Sequence, residues 1–450
     1  MIVLVAVAGA LALWRSSWLI DYAIWMLALN RGLRRLVDYY LNGHFNPFSP
    51  VSLVPLAIGG LLFVTAFHNF KSLPTRPRKI IMLLLGALFF AFLVGIIHNG
   101  VGAIYSLGEW IAGVGAMLFA ATHPAGGSAG NRWLKTAGWA GVFVAAYGWW
   151  QYYTIPPWDA MWLVESGMSG YMGLPEPTEM TCFSTMSERG PCAAFLGWAI
   201  IPMILSARWR NLGGWFSVLL ILSAMFLTAV RSMFVVVGLV AILYPLLARG
   251  RSLGGTLLLA IFLGFAANYG IGLVPGAERF SERFQTQSLI GEGTSLTGRM
   301  EIYQSSLQAV VMNPLGFGLG SSGMARRATG GSAAGVGDAG YLQILAQFGW
   351  LGTAMFFSAL ALLWKEASQR ASLAQRSLPA SAIDPFPLAA RSVLLAMLVL
   401  LFISDIFAGF SLVWVIFGRA INPWTHPVLT IRLMGAAAEK EVPTLASEPA

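Results

Sequence analysis

Between residues 273 and 339 the chain carries Arg279, Arg283, Arg299, Arg326 and Arg327, and no lysine. Arginine presents a planar fork of donors that stays charged, which suits two-point contact with phosphate oxygens. The same stretch holds NPLGFGLGSSG (313–323) and TGGSAAGVG (329–337), whose small residues let backbone amides approach an anion closely. Arg279 and Arg283 have an equally simple reading as partners of Glu278 and Glu282, whereas Arg299, Arg326 and Arg327 read as anion contacts. Arg231 sits in TAVRS between two apolar runs. A charge at that depth faces a cavity or a partner, unless it snorkels to the surface as a topological marker. Arg189, in STMSERGPCAAF, precedes another helix that enters from the same side.

The one carboxylate placed to act with these cations is Asp338, in GVGDAGYLQILAQFGWLG (335–352). By helical spacing it shares a face with Leu342, Leu345, Gly349 and Gly352. The two glycines permit close helix packing, which would hold the acid over a packed seam. With arginines nearby, such a carboxylate can take a proton from an attacking hydroxyl; spacing alone favours a plain helix N-cap. His98, Glu109 and Asp405 also fall at outer helix ends, and His98 is the histidine nearest the presumed site. No Asp-x-Asp, His/Cys ligand spacing or GxxxxGK[ST] occurs, so neither a metal nor a nucleotide cofactor is indicated. The two cysteines, Cys182 and Cys192, cannot build a disulfide scaffold, although they can pair in an oxidising compartment.

These residues must be positioned by membrane helices. The 450 residues are 57% hydrophobic and only 10% charged, with mean hydropathy +0.70, where a soluble domain carries about a quarter charged residues. Apolar runs of ~20 residues, shorter where tilt allows, fall at 2–14, 16–30, 51–67, 80–97, 104–121, 133–150, 192–207, 212–229, 231–248, 252–272, 340–364 and 391–408. A short further run covers 409–418. The expected fold is therefore all-α, a polytopic transmembrane bundle of about 12 helices. Short basic loops (71–79, 131–135, 208–210, 248–252 and 365–376) belong in the cytoplasm, which accounts for the net charge of +9 without nucleic acid. The loops at 98–103, 151–191, 229–231 and 273–339 then face outward, the last as a large late periplasmic loop. RGLRR (31–35) is a conflict, because strict alternation puts this basic cluster outside; a re-entrant or interfacial segment over 31–50 would resolve it. Residues 1–434 form the transmembrane domain, and 435–450 read as a disordered cytoplasmic tail.

TGRMEIYQSSLQAVVMNPLGFGLG (297–320) and GYLQILAQFGWLG (340–352) resemble the late loop of the O-antigen ligase and polysaccharide polymerase superfamily of bacterial inner membranes. FSTMSERGPCAAFL (183–196) and TAVRSMFVVV (228–237) resemble its other segments. The resemblance implies about a dozen helices and an active site facing the periplasm. Carried over by position, Arg231 and Arg299 would hold the diphosphate of a polyprenyl-linked donor, with Arg189 and the pair Arg326 and Arg327 assisting. Tyr341 and His98 would lie at the glycan. Where the ligases place His-Asn, this chain has Asp338-Ala339, which favours a polymerase over a lipid A-core ligase. The implied activity is metal-independent, inverting transfer between undecaprenyl-diphosphate-linked repeat units, giving an exopolysaccharide, capsule or O-antigen chain. Alternatives are a ligase-like transferase with another acceptor and, less favoured for want of an internal repeat, a transporter. The implied partners are lipid-linked glycans, the bilayer, and a chain-length regulator and flippase of the same pathway.

Overall fold

A computed structural model of the chain describes residues 1–46, 49–124, 126–248, 295–322, 339–377, 383–402 and 412–425. Among them the architecture is all-helical; the single extended pairing is an isolated bridge between Gly173 and Met180. The helices are α1 (Ile2–Leu13), α2 (Trp18–Val37), α3 (Val54–Phe67), α4 (Thr75–Asn99), α5 (Val101–Thr122), α6 (Gly126–Thr154), α7 (Pro157–Glu165), α8 (Arg189–Leu205), α9 (Gly214–Leu227), α10 (Arg231–Leu247), α11 (Ser295–Val311), α12 (Gly340–Ser377), α13 (Phe386–Leu400) and α14 (Leu412–Ile421). The span expected over 252–272 lies outside the described residues, as do Arg279, Arg283, Asp405 and the tail from 435.

Four segments are long and apolar enough to cross a membrane on length and composition: Pro50–Phe67, Thr75–Asn99, Val101–Thr122 and Gly340–Arg376. The other apolar helices, α1, α8, α9, α10, α13 and α14, have 10–17 residues. A count near twelve depends on including them. Apolar side chains exposed on long and short helices alike, among them Val64, Phe89, Phe216 and Leu219, suit contact with lipid.

Contacts sort the helix ends into two sets. At one end Trp209 donates through Nε1 to Asn131 (2.8 Å), Arg76 pairs with Glu366 (3.1 Å), and Asn422 donates to the Ala120 carbonyl (2.8 Å). Lys71, Lys79, Lys135 and Lys365, all the described lysines, belong to this basic end. The opposite, loop end collects residues 38–53, the long connection 155–188, the turn 228–230 and the stretch 313–322.

Two expectations are corrected here. RGLRR is not part of a connection: it is the last part of α2, which runs on to Val37 before a single wide turn at Asp38–Asn42. It sits at the loop end, as strict alternation required, and two of its three charges are internally paired. Arg34 meets Asp38 at 3.5 Å and Arg35 meets Asp159 at 2.5 Å. The basic stretch 365–376 is not a loop but a continuation of α12. Alanine, glutamine, lysine and arginine are strong helix formers, and Glu366 pairs with Arg370 one turn on at 2.7 Å.

Helices approach closely where one side contributes a small residue. Gly59 of α3 lies on Ala112 of α5, and Gly418 of α14 lies on the Met117 carbonyl of α5, so a β-carbon at either position would collide with the neighbour. These contacts pack α3 and α14 against α5.

Candidate functional site

The loop end is organised by one buried ion pair. Arg35 is 1% exposed and Asp159, at the first turn of α7, is fully buried. A buried guanidinium must have its donors matched. Arg35 donates from Nε to Asp159 Oδ1 (2.5 Å), from one terminal nitrogen to the Met186 carbonyl (2.5 Å), and from the other to the Ser184 carbonyl. Asp159 accepts in turn from Tyr147 (2.9 Å) and Gln151 (2.6 Å) of α6. The Gln151 amide oxygen accepts from the backbone N–H of Ser184 at 2.7 Å, and the Ser184 hydroxyl donates to the Val144 carbonyl at 2.6 Å. Ser184 is thereby held at φ 50°, a left-handed conformation that costs a side-chain-bearing residue about 1–2 kcal/mol. Thr185 anchors the same turn to the Ala28 carbonyl of α2 at 2.5 Å.

This turn leads directly into Arg189, the first residue of α8, whose guanidinium stacks 4.2 Å over the Tyr171 ring. Upstream, the Cys182 N–H donates to the Leu227 carbonyl at 2.7 Å. Leu227 ends α9, and after a turn with Ala229 at φ 54° the chain enters α10 at Arg231. The segments carrying Arg189 and Arg231 are thus tied to one another, and both arginines are half-buried at the loop end. Each sits in a first helical turn, where a cation opposes the helix dipole by about 0.3–1 kcal/mol. Two cations at positive helix ends make this part of the loop end electropositive. Cys182 and Cys192 are free, buried thiols hydrogen-bonded to each other.

The stretch 313–322 docks at the loop end against α4, α5 and a break in α12. Gly349 adopts φ 61° and ψ −171°, so the helix does not run straight through it. The bond that Trp350 N–H would have given Ala346 is replaced by two loop bonds: Trp350 N–H donates to Pro314 (2.9 Å), and the Ala346 carbonyl accepts from Phe317 N–H (2.7 Å). Backbone groups at membrane depth need such internal partners. Asn99 clamps the other side by donating to the carbonyls of Phe317 (2.8 Å) and Leu319 (2.9 Å). Gly318, at φ +77°, lies directly on the Gly95 backbone of α4. The single face expected over 338–352 is therefore interrupted: Gly352 does pack close to α4, at Phe90, but Gly349 faces residues 314–315.

Arg299 lies in α11, which belongs to the same end, since Tyr303 of that helix donates to the Phe402 carbonyl at 3.1 Å. Val310 of α11 packs with Ala339, Leu342 and Ala346. Asp338, Arg326 and Arg327 lie outside the described residues; Ala339, next to Asp338, is buried. The Tyr341 hydroxyl is committed to the Leu398 carbonyl (2.7 Å), and its ring lies against Phe357 and Phe402. His98 is exposed, with Nδ1 donating to the Val94 carbonyl of its own helix at 2.8 Å.

Sequence reasoning missed Arg35, Asp159, Gln151 and Tyr147. The available signal was the misfit of RGLRR itself: an arginine cluster on the wrong side for the orientation rule needs an acid, and Asp159 lies in the acidic outer loop.

Residues 216–357 match the family model described as O-Antigen ligase. The matched segment begins in α9 and ends in α12, so it contains Arg231 and Arg299 but neither Arg189 nor the Arg35 network. No curated protein matches the chain.

Proposed function

We propose that this chain, whose residues 216–357 match the family model described as O-Antigen ligase, polymerises undecaprenyl-diphosphate-linked oligosaccharide repeat units at the periplasmic face of a bacterial inner membrane. One observation carries the reading. Arg189 and Arg231 open two helices at the end away from the lysines, and a backbone hydrogen bond joins the segments that bear them. The orientation rule makes the lysine-bearing end cytoplasmic, so the arginines face outward, where the donor's diphosphate would lie.

In the reaction, a sugar hydroxyl of one lipid-linked unit attacks the anomeric carbon of another. The new glycosidic C–O bond forms as the bond to the diphosphate oxygen breaks, and Asp338 takes the hydroxyl proton. Guanidinium groups of Arg231, Arg299 and Arg189, with Arg326 and Arg327, stabilise the departing undecaprenyl diphosphate, the kind of fixed charge that lowers such barriers most. The broken diphosphate linkage supplies the driving force.

A second reading is favoured by the family's own description: transfer of a finished glycan to a different acceptor. Purified protein given lipid-linked repeat units alone separates the two, since a polymerase lengthens them and a ligase needs an added acceptor. For the site, Arg231→Ala and Arg299→Ala are expected to abolish long polymer on gels. The corresponding lysine variants are expected to shorten it, because lysine keeps the charge but loses the fork. Wild-type polymer from all four, at normal protein levels, rules the assignment out.

A further inference from the structure

The Arg35 network raises a question the family match does not reach, because it lies outside the matched residues. Burial alone requires hydrogen-bond contacts for the Arg35 donors, but it does not decide where those contacts go. Arg35 makes three, and two of them go to backbone carbonyls of one turn, at Ser184 and Met186. That turn is gripped from the far side by Gln151, which donates to the same Ser184 carbonyl at 3.2 Å and accepts from the N–H groups of Phe183 (3.2 Å) and Ser184 (2.7 Å). Its downstream end is Arg189. Its upstream end, through Cys182 N–H, is the Leu227 carbonyl just ahead of Arg231. One guanidinium therefore sets where two others stand.

We infer that Arg35, oriented by Asp159, is a positioning residue for the Arg189 and Arg231 pair, fixing their separation to suit a lipid-linked diphosphate. The inference rests on the function proposed above. Asp159 supplies the countercharge that lets Arg35 be buried, and its second oxygen is occupied by Tyr147 and Gln151, so the guanidinium plane cannot turn without breaking the set. The fork is essential to this role: a lysine ammonium at the same place retains the charge but cannot reach both carbonyls and the carboxylate in one plane.

The test uses the full chain in detergent micelles, with undecaprenyl diphosphate as the binding probe. Three quantities are read: its Kd, the alkylation rate of Cys182 and Cys192, and the melting temperature. Both thiols are buried beside the turn, so they report its displacement. Arg35→Lys is expected to raise Kd about 10- to 100-fold, the loss typical of one charge-assisted hydrogen bond, and to speed thiol alkylation. Arg35→Met combined with Asp159→Asn removes both charges together, so no buried charge is stranded. It is expected to fold and to show the same loss of affinity, and it carries the test if Arg35→Lys does not fold. Wild-type Kd in a folded variant of either kind overturns the role. Arg231→Ala is the reference arm: weakened binding there with none in the Arg35 variants sinks this inference alone. Absence of binding by the wild type, or an unchanged Kd in Arg231→Ala, sinks the proposed site and this role with it.

Discussion

Among the described residues two arginines are buried almost completely, one at each end, and they are satisfied very differently. Arg35 at the loop end has a carboxylate and two carbonyls at hydrogen-bonding distance. Arg419 at the basic end, 2% exposed, has Asp384 at 3.4 Å and lies 4.9 Å over the Phe386 ring; its Nε and one terminal nitrogen have no hydrogen-bond partner among the described residues. The nearby Arg370, by contrast, is held by Glu366 and donates to the Asn422 carbonyl at 2.7 Å. The same residue type thus does two jobs. At the basic end a loosely paired guanidinium fills space between α13 and α14. At the loop end a fully matched one dictates the path of a backbone turn. Matching, more than burial, separates a shape-setting charge from a space-filling one.

The comparison can be broken most directly at the carboxylates. Asp159→Ala leaves Arg35 buried without a countercharge and is expected to cost about 3–5 kcal/mol, read as a large drop in melting temperature or the loss of folded protein in detergent. Gly318→Ala tests the other docked stretch of the loop end. A β-carbon there strikes the Gly95 backbone in a left-handed conformation, and about 1–3 kcal/mol of destabilisation is expected, seen as a lower melting midpoint. Asp384→Ala should have the smallest effect, about 1 kcal/mol, mainly from loss of the cap it provides to the Phe386 N–H at 3.2 Å. If Asp384→Ala proves as damaging as Asp159→Ala, the contrast between the two arginines is wrong.

Much of the scaffold was legible along the chain. The apolar runs located the helices, and the charge in the connecting loops sorted their ends, so Arg189 and Arg231 were expected on one side and are found there. Helix limits were read less well where polar residues lie inside helices. RGLRR looked like a connection because its charges are expensive in a helix at membrane depth, and its acids lie partly in another segment. The helical continuation of α12 looked like a cytoplasmic loop for the same reason, since its pairing with Arg76 of α4 is invisible in a hydropathy pattern. At Gly349 the helical spacing was right on both sides of a break that exists only because residues 314–317 supply the missing hydrogen bonds.

What the sequence determined by itself was the class of fold, the approximate positions of the helices and the sorting of their ends. Transfer of each side chain from water to lipid is a local, nearly additive quantity, and a window of residues contains all of it. What only the tertiary structure decided was which charges are matched. Arg35 meets Asp159 from 124 positions away, and the Cys182 backbone, in the connection before α8, meets Leu227 at the end of α9. A hydrogen bond acts over about 3 Å, so its partners are defined only once the helices are packed.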